Sequence, residues 1–251
     1  MIFIPVSRQE EAMAANYNIN YGANYDVSYH VDLVFCIDIT GSMRPVIDLV
    51  KNNALRFYDD VQKNMERKGK KIDQMRIRVI AFGDYIASMS EGTIPMMTTD
   101  FFKLPEQQES FRKSILALDP YGGGDEPEDG LEALAYGIKS KWDKTGMKSR
   151  HIIIVWTDAP THELGYGRSN PCYPRNMAAD FDELTEWWGD SQLPGVMDQN
   201  AKRLLIFAPE SHWWSDVSDC WDQVIHFPSK AGKGLEEVDY DTIVSSICNS
   251  I

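Results

Sequence analysis

The chain lacks any apolar run approaching the roughly 20 residues needed to span a bilayer. Its first residues, Met1-Ile-Phe-Ile-Pro-Val-Ser-Arg8, hold an apolar patch with no basic stretch before it and no long apolar core. No secretory signal is expected, and a cytoplasmic protein is. Positive charge is scarce: 25 Lys and Arg stand against 38 Asp and Glu, a net charge of −13. This argues against nucleic acid and anionic membrane as partners, because both require clustered cations. The short basic stretch Lys68 to Lys71 reads as a helix end, where cations suit the negative end of the dipole. Four cysteines, Cys36, Cys172, Cys220 and Cys248, form no Cys-x-x-Cys pair, so buried free thiols are expected rather than a zinc or redox site. His162-Glu163 lacks a second His at the Tyr166 position, which excludes the His-Glu-x-x-His zinc pattern. Neither the Gly122 triplet nor Lys230-Ala-Gly-Lys-Gly234 has the full make-up of a phosphate loop, and both read as turns.

What is present is alternation. After a polar, Asn- and Tyr-rich extension over residues 1–29, the fold is expected to occupy 30–251 as one domain. Val31 to Ile37 is an apolar run with one polar residue, as a strand buried on both faces requires. Ile47, Val50, Ala54, Phe57, Val61 and Met65 recur at helical spacing, predicting one helix from Met43 to about Arg67 with Ser42 as its cap. Arg76 to Phe82 reads as a strand and Ser88 to Thr98 as a neighbouring, antiparallel edge strand. Helices are expected over Glu106 to Leu118, Pro127 to Trp142, Met177 to Trp188, His212 to Trp221 and Asp239 to Ser250. Strands are expected over His151 to Thr157, Arg203 to Ala208 and Gln223 to Phe227, with Ala159 to Pro174 irregular. The result is an α/β fold in three layers, a mostly parallel six-stranded sheet with one antiparallel edge strand and helices on both faces. Met177, Phe181, Leu184 and Trp188 form a core stripe, while Trp187 and one of Trp213-Trp214 fall off it as candidate partner anchors.

In such sheets ligands sit beyond the carboxyl ends of the strands. Three short loops there carry oxygen: Asp38-Ile-Thr-Gly-Ser42 after the first apolar run, Gly122-Gly-Gly-Asp-Glu-Pro-Glu128, and Asp158 closing Ile152-Ile-Ile-Val-Trp-Thr-Asp158. Asp38, Thr40, Ser42, Glu128 and Asp158, with Asp125 as the close alternative to Glu128, read as one metal site. Carboxylates and hydroxyls are hard ligands, suited to Mg²⁺, with Mn²⁺ or Ca²⁺ as alternatives. Few carboxylates leave the ion under-neutralised, so it would keep a coordination position for water or for a partner's carboxylate. The residues flanking these ligands, Gly41, Gly124, Thr161, His162 and Tyr166, are the expected partner-facing set. The loop from Ala159 to Pro174 is expected to frame the partner and to move with it.

These residues resemble a known family. Asp38-Ile-Thr-Gly-Ser42 is similar to the Asp-x-Ser/Thr-x-Ser signature of von Willebrand factor A (vWA) domains, whose metal ion-dependent adhesion site adds a residue from a second loop and an Asp from a third. The order fits across Val31 to Ile251. Asp125-Glu-Pro-Glu-Asp-Gly-Leu-Glu-Ala133 and Thr157-Asp-Ala-Pro-Thr-His162 resemble segments of integrin β I-like domains. The Gly122 loop and Asp158-Ala-Pro also resemble vWA domains found beside α-kinases and in bacterial stand-alone proteins. The resemblance implies a metal-dependent protein-binding domain that captures a partner's Asp or Glu and is not an enzyme. It implies no second metal beside the first helix, since Pro45 and Val46 stand where integrin β subunits carry acids.

Two other classes compete. A Mg²⁺-dependent phosphohydrolase-like enzyme would need a second Asp two residues after Asp38, where Thr40 stands. A metal-free structural adaptor would differ by showing no ion-dependent binding.

Overall fold

The structure, a computed structural model, describes residues 28–122, 127–233, 235 and 238–251. The expected N-terminal extension falls almost wholly outside the described residues, and the first strand begins at Ser28, three residues before the expected Val31. Strands β1 (Ser28–Asp38), β2 (Lys71–Phe82), β5 (Lys148–Trp156), β6 (Lys202–Pro209) and β7 (Val224–Ser229) run parallel. Across the sheet the order is β3-β2-β1-β5-β6-β7. At the β2 edge two short antiparallel strands share one position: β3 (Met96–Thr98) pairs with the end of β2 and β4 (Phe102–Leu104) with its middle. The six expected places across the sheet are therefore filled by seven strands. β4 is too short for periodicity to reveal.

Leu33–Ile37 of β1 and Ile152–Trp156 of β5 are apolar because both faces of the sheet are covered there. Val31, Leu33, Phe35 and Ile37 point into one core, with α1 (Arg44–Asn53), α2 (Phe57–Arg67), α4 (Gln108–Leu116) and α8 (Tyr240–Ser250). Val34 and Cys36 point into the other, with α5 (Gly130–Ile138), α6 (Phe181–Trp188) and α7 (His212–Cys220). Chain order leaves β1 toward β2 on one side and toward β5 on the other, so the topological switch point lies between β1 and β5. Their carboxyl ends are where a ligand site is expected.

Two expected elements are corrected. The predicted Met43 to Arg67 helix is a 3-10 turn (Gly41–Met43), then α1, then α2. At the break the Arg56 N–H bonds the Asn53 carbonyl, three residues back, and the Asn53 side chain takes the Leu49 carbonyl. An Asn-Asn pair is a weak helix former that competes for backbone partners. The apolar spacing survives because Ala54 and Phe57 stay buried on either side. The predicted Ser88 to Thr98 strand begins inside the helix α3 (Tyr85–Glu91), and only its last three residues are strand, β3. Asp84 caps α3 by accepting the N–H groups of Ile86 and Ala87, and Gly92 ends it at φ 68°.

The thiols also differ from expectation. Cys36 and Cys248 are buried, but Cys172 and Cys220 are exposed. Burial pushes the Cys36 thiol up to about 12 and the Cys248 thiol up to about 11, which suppresses the reactive thiolate. A thiol-specific disulfide reagent should therefore label Cys172 and Cys220 quickly in the native protein and the buried pair only after denaturation. Mass mapping that found Cys36 modified under native conditions would contradict this packing.

Candidate metal centre

Ser42 does not cap the helix as expected. Its hydroxyl donates to Asp158 Oδ1 at 2.8 Å, reaching from the loop after β1 to the loop after β5. Asp38, the last residue of β1, is fully buried. Its Oδ1 accepts both the Thr40 N–H (2.8 Å) and the Thr40 hydroxyl (2.6 Å). Its Oδ2 accepts the Thr157 hydroxyl at 2.7 Å, and that hydroxyl in turn accepts the Ala159 N–H. Asp38, Thr40, Ser42 and Asp158 are thus joined at the switch point. Thr157 belongs with them and was missed, although it stands beside Asp158 in the sequence.

The electrostatics are those of two acids held together. Burial raises the Asp38 carboxyl to about 6. The Thr40 and Thr157 hydrogen bonds pull it down, and the charge of Asp158 pushes it up again. Among the described residues no Lys, Arg or His forms an ion pair with Asp38. The donor set is oxygen only, carboxylates and hydroxyls, and the Thr40 and Ser42 hydroxyls give their protons to carboxylates. That chemistry fits a hard divalent cation, which would neutralise the pair.

The second loop docks alongside. Tyr121 forms a bridge with Thr40, and the Gly41 N–H bonds the Gly122 carbonyl. A Cβ on Gly41 would lie 2.9 Å from that carbonyl oxygen, so the position admits only glycine without a shift. Asp125 and Gly124 lie outside the described residues. Glu128 is buried, and its backbone is zipped to the loop after β5: Glu128 N–H to Pro160 O and His162 N–H to Glu128 O. Among the described residues no three His, Cys, Asp or Glu side chains gather closely enough to hold a metal. Asp38 and Asp158 form the inner pair, and Glu128 stands on the adjoining loop. Burial raises the Tyr121 hydroxyl, a Thr93 hydrogen bond lowers it, and the charges of Glu128, Glu91 and Asp38 raise it further. Glu91, at the end of α3, was read as part of a strand and so did not enter the expected site.

Of the expected partner-facing residues, Thr161 is buried and its hydroxyl accepts the Leu131 N–H at the start of α5. His162 bonds Asp84 at 3.0 Å and stacks on Tyr166 at 3.8 Å, and Tyr166 is 55% exposed. The Ala159 to Pro174 loop, expected to move, is tied down from below. Glu132, fully buried on α5, accepts the Gly165 N–H and the Tyr173 hydroxyl. Asn170 donates to the Tyr85 carbonyl and to Ser88, and the Trp214 indole donates to Ala159 O. Burial and the nearby Glu132 push the Asp129 carboxyl up to about 8. Replacing Thr157 by Val should cost about 1–3 kcal/mol in urea unfolding, because a buried Asp38 oxygen and the Ala159 N–H lose their partner without a change of shape. An unchanged midpoint would remove Thr157 from the network.

Fold and site together define a class: an open α/β sheet whose switch point carries a cluster of oxygen-bearing side chains drawn from separate loops. No protein-family model matches the chain. Among curated proteins it is similar to "Alpha-protein kinase vwkA" of Dictyostelium discoideum, 27% identical over 145 residues, a match that covers 57% of this chain and 21% of that protein. The chain spans only about a fifth of that relative's length. Among solved structures it aligns with the pilus adhesin SpaC from Lactobacillus rhamnosus GG in its open conformation, with a TM-score of 0.46 and 15% identity over 88% of this chain and 30% of that one. It also aligns with the vWF domain of the type V pili tip protein Mfa5 from Porphyromonas gingivalis, with a TM-score of 0.35 and 20% identity over 53% of this chain and 39% of that one.

Proposed function

We propose that the chain is a vWA-type protein-binding domain that works through a divalent cation, Mg²⁺ in the first instance, and is not an enzyme. Asp38, Thr40, Ser42 and Asp158 would hold the ion, with Glu128 or Asp125 contributing directly or through water. The observation that carries the reading is the Ser42 to Asp158 hydrogen bond, which joins two loops separated by 116 residues into one donor set. When bound, the ion supplies positive charge and a coordination position for an anionic oxygen. The protein's own part is to present its ligands at the rim of the sheet. A partner would then offer one Asp or Glu from an otherwise neutral or basic surface, complementing the chain's net charge of −13.

Calorimetric titration with Mg²⁺ and Mn²⁺, with and without chelator, tests this, and a generic phosphatase assay run beside it tests the enzymatic alternative. The expected result is saturable binding of one ion and no turnover. Absence of binding would leave the metal-free adaptor, and Mg²⁺-dependent phosphate release would replace the reading with an enzyme.

A further inference from the structure

The candidate metal loops follow the carboxyl ends of β1 and β5. At the other end of the sheet, beside the start of β6, lies a groove of about 590 Å³ lined by Trp187, Leu193, Pro194, Val196 and Trp221. Its position is fixed by Lys202, the first residue of β6, whose buried ammonium donates to the Trp188 and Gly189 carbonyls at the end of α6 (2.9 and 2.6 Å). The walls are built rather than loose. The Val196 N–H bonds the Trp187 carbonyl and the Asp190 N–H bonds the Leu193 carbonyl. The Asp190 carboxylate accepts the Gln192 and Leu193 N–H groups (2.6 and 2.8 Å). Gly189, at φ 68°, packs so closely that a Cβ there would lie 2.0 Å from the Gly195 nitrogen. A preformed groove demands little ordering on binding.

Leu193 is nevertheless 73% exposed and Val196 38% exposed, so apolar surface faces water beside the half-buried Trp187 and the buried Trp221. The rim is acidic. Glu186 and Asp190 are exposed, and neither has an ion-pair partner among the described residues. The Trp187 ring already carries the chain's own Lys139 ammonium, 3.7 Å from its centre, so a partner's cations would be met by the rim carboxylates. An apolar floor and an exposed acidic rim favour one kind of occupant. We propose that this groove docks a peptide segment of a partner protein carrying a bulky apolar residue flanked by Lys or Arg. It would act independently of the metal loops, giving the domain two binding poles.

The test is fluorescence anisotropy of the full chain with a labelled peptide in which a leucine pair is flanked by lysines, alongside an analogue with glutamates in place of the lysines. The lysine peptide should bind, and more weakly as salt is raised. Leu193→Asp should weaken it at least about tenfold, as expected when an apolar anchor loses its pocket. Glu186→Gln with Asp190→Asn should weaken it too, while the amide oxygen of the second replacement can still accept the turn hydrogen bonds. These side chains are exposed, so a native circular dichroism spectrum is expected for each variant. No binding of the lysine peptide, equal binding of both peptides, or binding unchanged by the variants would overturn the proposal. So would a sedimentation result in which wild type is a dimer that Leu193→Asp converts to monomer, since a second copy would then fill the groove.

Discussion

Mg²⁺ at about a hundred times its dissociation constant should raise the melting temperature of the wild-type chain by roughly 5–10 °C, and Asp38→Ala should show no rise. A ligand that binds only the folded state at that excess stabilises it by about 2.7 kcal/mol, and for a domain of this size each kcal/mol moves the midpoint by about 2–4 °C. Asp38 is the natural target because its two carboxylate oxygens anchor both Thr40 and Thr157. Removing it also relieves repulsion with Asp158, so the metal-free mutant should not be grossly unstable. Equal shifts in mutant and wild type would place the ion elsewhere.

The same residue gives the shift a pH dependence of known sign. The folded-state Asp38 carboxyl stands at about 6, above its ordinary value, because burial outweighs its hydrogen bonds. Between about pH 4 and that value the folded protein binds more protons than the unfolded chain at this group, so its contribution to stability falls as pH rises through the window. The cation requires the carboxylate and must displace that proton. Melting curves should therefore show metal-free stability drifting down from Asp38 while the Mg²⁺-induced rise grows from about pH 5 to about pH 7. A rise of constant size over that range would remove Asp38 from the ligand set.

Much of this site was legible because its acids and hydroxyls sit where apolar runs stop. Val31 to Ile37 and Ile152 to Trp156 are buried on both faces, so the first polar residue after each has to lie at the sheet's rim. Asp38 follows from that alone, and after Trp156 the same rule points first to Thr157, with Asp158 beside it. Glu132 was not legible: between Leu131 and Ala133 it reads as one more polar residue of an amphipathic helix, yet it is fully buried and bonded to a loop more than thirty residues away. Long-range partners of this kind leave no periodic trace. α3 was legible in principle. Asp84 and Gly92 are a cap and a stop at the right spacing, but Ser88 to Thr98 was read as an edge strand running through Gly92. The break after Asn53 was hidden for the opposite reason, since Ala54 and Phe57 keep the helical spacing across it.

Arg76→Met should destabilise the chain by about 3–5 kcal/mol, lowering the melting temperature by roughly 6–20 °C. Arg76 on β2 grips Asp32 on β1 through both carboxylate oxygens, at 2.8 and 2.6 Å. Asp32 is only 1% exposed, and its Oδ2 also accepts the Asp143 N–H at 2.7 Å. Met keeps most of the aliphatic length and contact with Phe101, over which the guanidinium now lies at 4.5 Å. What is lost is the charge that compensates a carboxylate with no route to water, and removing one partner of such a pair costs far more than replacing both. Adding Asp32→Asn should therefore recover a substantial part of the loss, and no recovery would show that the cost comes from packing instead. Asp32 lies six residues before Asp38 along β1, roughly 20 Å at the rise of a strand, so the Mg²⁺-induced melting shift should survive in Arg76→Met at its wild-type size. Loss of that shift would mean that the two ends of β1 are coupled through the sheet, and that thermal stabilisation by Mg²⁺ reports on the whole strand rather than on the ligands at its end.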